Sequence, residues 1–175
     1  MSDLAIIVTA DGTLDLDVCC NDLVVTDGLE SAVAVCLFTD VRAPADADLP
    51  AGADRGGCWM DSFPDIDGDA MGSLIWLLKR EKQTEPVRQR AERYAVAALQ
   101  CLIDDGVAAS ITVACSYPER GILAWAIEVI DKRGSRQRFA FAVDQSGAMC
   151  KCPTVWPYEP TPPGGRVNPD FIVGT

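Results

Sequence analysis

The chain contains no histidine. That single absence removes the commonest general base, the usual nucleophile triads and most transition-metal sites together. No Walker loop, Rossmann fingerprint or nucleophile elbow occurs either. There is no Cys-x-x-Cys pair, so Cys150-Lys151-Cys152 has nothing to complete a zinc spacing, and neither metal nor cofactor is expected. Long apolar runs are also missing. The longest, Ala32–Phe38, and shorter ones such as Leu74–Leu78 fall far short of the roughly 20 residues a membrane helix needs. Asp3 stands where a secretory signal carries basic residues, which predicts a soluble protein made in the cytosol.

What is present is acid, and it is placed unevenly. Residues 1–70 hold 15 acidic residues against Arg42 and Arg55, a balance of −13, whereas residues 71–175 hold 13 basic and 11 acidic, a balance of +2. An acidic half repels a nucleic-acid backbone, so no nucleic-acid partner is expected. The basic cluster Lys79, Arg80, Lys82, Arg88, Arg90 and Arg93 is either a solvated face or suited to an acidic partner. Eight cysteines are scattered along the chain. Cys36 and Cys101 fall on apolar faces of predicted helices and Cys115 in a predicted strand, where each serves as a small buried hydrophobe.

Along the chain, Leu4–Thr9 and Leu14–Val18 flank Asp11-Gly12, a hairpin signal, and Leu23–Val25 adds a short third strand. Asp27 is placed as an N-cap, with Glu30 at capping-box spacing, for a helix carrying Leu29, Val33, Cys36 and Leu37. From Thr39 to Asp69 there is no sustained period, and a loop this long usually means function or docking. Asp65-Ile66-Asp67-Gly68-Asp69 lacks the spacing of a calcium loop and reads as a solvated turn. Ala70–Glu81 is predicted helical and apolar around much of its circumference. Thr84 caps the next helix, Pro86 sits in its first turn, and Val87, Ala91, Tyr94, Ala95, Ala98, Leu99 and Leu102 form its stripe before Gly106. Arg88, Arg90 and Arg93 in its N-terminal half and Asp104 and Asp105 at its end oppose the helix dipole, a hint of an interface. Three strand candidates follow, Ala109–Cys115, Ile122–Ile130 and Arg138–Val143, and then a proline-rich stretch that forbids regular structure.

The expected architecture is therefore α+β, with an N-terminal β-hairpin, three helices, a C-terminal antiparallel three-stranded meander and an extended Pro-rich tail. One domain spans residues 1–148 (hairpin 4–25, helix 28–38, long loop 39–69, helices 70–105, strands 109–143), and the tail covers 149–175. Paired carboxylates are the one chemistry left open, with Glu30, Asp61 and Glu119 as candidates, because glycoside cleavage needs only two. With 26 acids in the chain, chance explains such pairs better, and no catalytic residue is assigned. Trp125 reads as core and Trp76 as core or interface. Trp59 and Trp156 have no obvious internal partner and read as protein contacts, since tryptophan is enriched at interface hot spots. Arg55, beside Gly56-Gly57, is placed to anchor the loop through a carboxylate or backbone carbonyls.

Three blocks stand out for their order and spacing: Leu29-Glu30-Ser31-Ala32-Val33 leading to Leu37-Phe38-Thr39-Asp40, then Arg55-Gly56-Gly57-Cys58-Trp59-Met60-Asp61, then Gly72-Ser73-Leu74-Ile75-Trp76-Leu77-Leu78. They resemble the Mu-like phage family typified by the product of gene forty-six of bacteriophage Mu, over roughly residues 4–145. Relatives tend to show Arg-Gly-Trp-Trp where this chain has Arg55-Gly56-Gly57-Cys58-Trp59, so one aromatic contact is missing or displaced. The order of elements is more remotely similar to the gene twenty-five wedge protein of T-even phages, although the Glu-Pro-Arg signature of some of its relatives is absent. The resemblance implies a non-enzymatic structural subunit of a contractile-tail baseplate wedge. Its partners would be a larger wedge protein, the tail sheath and other baseplate or tube proteins, with six copies expected per virion. Arg42, Arg55, Trp59, Asp61, Trp76, Arg88, Arg93 and Trp156 are the expected partner-contact residues. The competing readings are a peptidoglycan-cleaving tail enzyme and, after it, a regulatory binding module of the bacterial host.

Overall fold

A computed structural model describes residues 3–26, 28–47, 49, 54–62, 70–79 and 81–150. Its centre is a four-stranded antiparallel sheet in the order β10-β9-β8-β7, built from β7 (Ala108–Ser116), β8 (Ile122–Asp131), β9 (Arg136–Asp144) and β10 (Met149–Cys150). The helix α2 (Glu85–Asp104) lies along β7, and the shorter α1 (Glu30–Phe38) packs beside it. Alternation along β8 puts Trp125, Ile127 and Val129 into the core at 1% exposure or less. Ala91, Ala95 and Leu99 of α2 meet that core at helical spacing. Trp125 donates its indole N–H to the Ala91 carbonyl at 3.3 Å, and Phe38 packs edge-on against both Trp125 and Phe141.

The three-stranded meander needs correction to four strands. Asp144 accepts hydrogen bonds from the Ser146 and Ala148 N–H groups, closing a tight turn that returns Met149 and Cys150 to pair with Val143 and Ala142. Two paired residues are too few to leave a periodic signature.

The single N-terminal hairpin is likewise replaced by six short strands, β1 (Asp3–Leu4), β2 (Ile6–Val8), β3 (Leu14–Leu16), β4 (Val18–Cys19), β5 (Asp22–Leu23) and β6 (Val25–Thr26). They pair as β2 with β3, β4 with β5 and β1 with β6, forming three arms. At the junction, Ala5 N–H bonds Val24 O at 2.8 Å, Val24 N–H bonds Asp17 O at 2.9 Å, and Asp17 N–H bonds Ala5 O at 2.9 Å. This closed ring of main-chain bonds joins the arms into one unit.

The predicted helix over 70–81 is not formed, so the chain has two α-helices among its described residues rather than three. Only a single 3-10 turn, Ile75–Leu78, is present. The Ser73 hydroxyl donates to Leu37 O at 2.5 Å and accepts the Ile75 N–H at 3.1 Å, tying the backbone locally instead of letting it propagate a helix. The apolar run is buried because it is wedged against α1 and α2, a pattern a short stretch shares with a buried helix.

At the start of α1 the Leu29 N–H is met by Gln137 Oε1 of β9 at 3.1 Å, with no side-chain cap bond from the helix's own N-cap residue. Asp27 lies outside the described residues. Thr84 holds the N-cap position of α2 in extended geometry, again without a side-chain bond, and Gly106 (φ +71°) closes the helix with its N–H on Ile103 O. The tail beyond Cys150, Trp156 included, also lies outside the described residues, as do Arg80 and the acidic run 65–69.

Candidate protein-protein interface

The three conspicuous sequence blocks fold against one another as a clasp. After α1 the chain runs extended: Ser73 N–H bonds Thr39 O at 2.9 Å, Val41 N–H bonds Ser73 O at 3.0 Å, and Ala43 N–H bonds Arg55 O at 2.7 Å. Trp76 donates its indole N–H to Val41 O at 2.9 Å. Gly56 lies flat on that indole, so that a Cβ there would sit 2.9 Å from a ring carbon. Gly72 (φ +116°) passes so close to Thr39 that a Cβ would meet its carbonyl oxygen at 2.3 Å. A 3-10 turn over Trp59–Ser62 presents Asp61, whose Oδ1 accepts the Met71 N–H at 3.0 Å. Its Oδ2 is shielded from solvent and has no hydrogen-bond partner among the described residues.

This geometry distributes the expected contact residues among different tasks. Trp76 is half-buried and internally bonded. Arg55 ties the loop through its main-chain carbonyl. Arg42 is exposed, with Gly57 packed against its Cβ. Trp59 is 76% exposed, the most open of the large apolar side chains among the described residues. Arg93 is exposed on α2. The carboxylates considered for chemistry sit on separate elements: Glu30 in the first turn of α1, Asp61 in the 3-10 turn, and Glu119 in the β7–β8 connection. Among the described residues no group of three histidine, cysteine or acidic side chains is placed to hold a metal ion.

Arg88 does more than its position on the helix predicted. Glu85 and Glu92 flank it, and its Nη1 also reaches the Cys115 carbonyl on β7 at 2.9 Å. The bond from Glu85 raises the Arg88 pKa, and Arg88 in turn lowers that of Glu85. The direction of the Cys115 carbonyl follows from the sheet register. Asp131 N–H bonds Ser135 O, so the odd-numbered residues of β8 hydrogen-bond toward β9 and the even-numbered ones toward β7. Their β7 partners are Ser110, Thr112, Ala114 and Ser116. Hence Ile111, Val113 and Cys115 point their main-chain groups away from the sheet, along an edge that no described strand pairs.

Two cysteines are pushed up to about 12 by burial: Cys36, with Cys101 3.6 Å away as a further cause, and Cys115. Such thiols pack as apolar groups and do not act as nucleophiles.

An open groove of about 560 Å³ runs between the three-armed unit and α1. Leu4, Ile6 and Leu16 form one wall, Ala32 and Val35 the other, and Met71 stands at one end. The sequence signal for it was the alternation Leu4-Ala5-Ile6, Leu16-Asp17-Val18 and Leu23-Val24-Val25, which reads as strands but not as a shared face.

The model of a family described as "Phage protein GP46" matches residues 29–136. The chain belongs to this GP46 family. The Mu-like prophage FluMu protein gp46 of Haemophilus influenzae is 36% identical over 146 residues, covering 83% of this chain and 99% of that protein. The baseplate protein gp46 of Escherichia phage Mu is 40% identical over 124 residues, 70% of this chain and 83% of the phage protein. The GP46 match takes in α1, the clasp, α2, β7 and β8, and leaves the three-armed unit outside it. All three blocks that carried the resemblance lie within it.

Proposed function

We propose that this chain is a structural subunit of a phage tail baseplate that works by contact and carries out no catalysis. The observation that carries the reading is its 40% identity to a protein named as the phage Mu baseplate protein, over most of both chains. The geometry supports it, because the family's marked residues build an internal clasp rather than a cleft lined by reactive groups. In finer detail, the subunit belongs to the baseplate wedge, packs against a larger wedge protein, and is present in six copies. The open edge of β7 receives an added strand from the first ring of the tail sheath. Ile111 and Val113 offer the outward main-chain groups for such pairing, beside the Cys115 carbonyl held by Arg88.

Ile111→Pro tests the edge, since it removes an N–H that points outward and leaves the β7–β8 ladder intact. The variant chain is expected to enter baseplates, seen by mass spectrometry of purified particles, while sheath assembly on them fails in electron micrographs. Normal sheaths on I111P baseplates would overturn the strand-addition step. Absence of the wild-type chain from purified particles would overturn the baseplate role itself.

A further inference from the structure

The groove between the three-armed unit and α1 has a composition that names its occupant. Side chains two apart on an extended strand, or directly opposite across a pair, share a face. Leu4 lies opposite Val25, Ile6 opposite Leu16, and Val18 opposite Leu23. These six aliphatic residues therefore form one surface centred on the three-way junction. Its outer members stay open to solvent, with Val18 at 62% and Val25 at 61% exposure. Val35 of α1, at 37%, and Met71, at 39%, extend it across the groove. An apolar surface this continuous marks a contact site.

Among the described residues, the charged ones lining the groove are Asp3, Asp61 and Asp105, with no lysine or arginine. Asp61 adds a carboxylate oxygen that no donor among the described residues satisfies. An uncompensated negative charge beside apolar walls is costly until a cation approaches it.

We propose that this groove docks a basic amphipathic segment of another protein, its apolar stripe on Leu4, Leu16 and Val35 and its lysines or arginines beside Asp61 and Asp105. The inference deepens the baseplate reading, on which it rests for the source of the partner. A second copy of this chain fits the groove less well, because it carries a net charge of −11 and would bring like charge to the acidic rim.

The test uses the purified full-length chain and a fluorescent leucine/lysine amphipathic peptide, with a leucine/glutamate peptide of the same pattern as its counterpart. The lysine peptide is expected to bind, with affinity falling as salt rises. Val35→Arg and Met71→Lys, both at exposed positions that leave the core untouched, are each expected to weaken it about tenfold or more. Asp61→Asn combined with Asp105→Asn weakens it severalfold and flattens the salt dependence, while Asp22→Asn on a different arm leaves it unchanged. Equal binding of the glutamate peptide, or V35R and M71K chains that bind as well as wild type, would overturn the proposal. So would a photo-crosslinker at position 35 that captures residues 151–175 of the same chain or a second copy. If the chain is missing from tail particles the baseplate reading fails, whatever the peptide does. If it is present and the peptide ignores V35R and M71K, only the groove assignment fails.

Discussion

Replacing Gly72 by alanine isolates what holds the clasp shut. Its φ of +116° belongs to a region that costs an L-residue about 1–3 kcal/mol. Independently, the new Cβ would lie 2.3 Å from the Thr39 carbonyl oxygen and 2.8 Å from its carbon, both backbone atoms that cannot rotate away. Relief requires moving the two strands apart, which breaks the bond from Ser73 N–H to Thr39 O and loosens the one from Val41 N–H to Ser73 O. Each is worth about 1 kcal/mol net. The total is about 3–5 kcal/mol, a large share of the roughly 5–15 kcal/mol that holds a domain together. For a chain of this size each kcal/mol moves Tm by about 2–4 °C, so a fall on the order of 10 °C is expected by scanning calorimetry. Gly134 supplies the control. It also has positive φ, +82°, but nothing lies within 4 Å of its Cβ position, so G134A pays only the backbone strain of about 1–2 kcal/mol. Equal losses for G72A and G134A would refute the claim that close approach to Thr39, and not backbone conformation alone, fixes the clasp.

Thr112→Pro, unlike Ile111→Pro, removes an N–H that faces β8, so in urea melts T112P is expected to lose about 2–3 kcal/mol more than I111P. Trp76→Phe deletes the bond to Val41 O and is expected to cost about 1–2 kcal/mol in the same assay, without changing the far-UV spectrum. Cys36 and Cys115 keep their protons in the folded state up to about pH 12, while unfolded thiols ionise near 9. Their contribution is therefore fully present below pH 9 and drains away as pH rises from 9 toward 12. The urea midpoint should fall over that range less steeply in C36A and C115A than in wild type. In native protein at pH 8 a thiol reagent should label Cys19 and Cys20 promptly, and Cys36 and Cys115 only after denaturant is added.

The parts of the fold that were legible in advance are those where one periodic pattern runs long enough to outvote its surroundings. The stripe from Val87 to Leu102 and the alternation of β8 around Trp125 are of that kind. Leu74–Leu78 misled because five consecutive apolar residues satisfy a helix and a wedged turn equally, and the deciding contact, Ser73 to Leu37, spans 36 residues. The N-terminal arms misled differently. Asp11-Gly12 correctly marks a turn, but the three pairings meet through Ala5, Asp17 and Val24, whose side chains carry no sign of the junction. The groove stayed hidden for the same reason, since its walls come from segments that are each ordinary alone. Arg88 was singled out for opposing the helix dipole, yet its reach to Cys115 depends on a register no local pattern reveals.

The outward turn of Ile111, Val113 and Cys115 follows from the pairing of β7 with β8, in which Ser110, Thr112, Ala114 and Ser116 turn their main-chain groups toward β8. Slip that register by one residue and Ala114 and Ser116 would present their main-chain groups along the rim in place of Cys115, taking from Arg88 the carbonyl it holds. The pairing of two neighbouring strands thus sets the polarity with which this molecule can be extended by a neighbour.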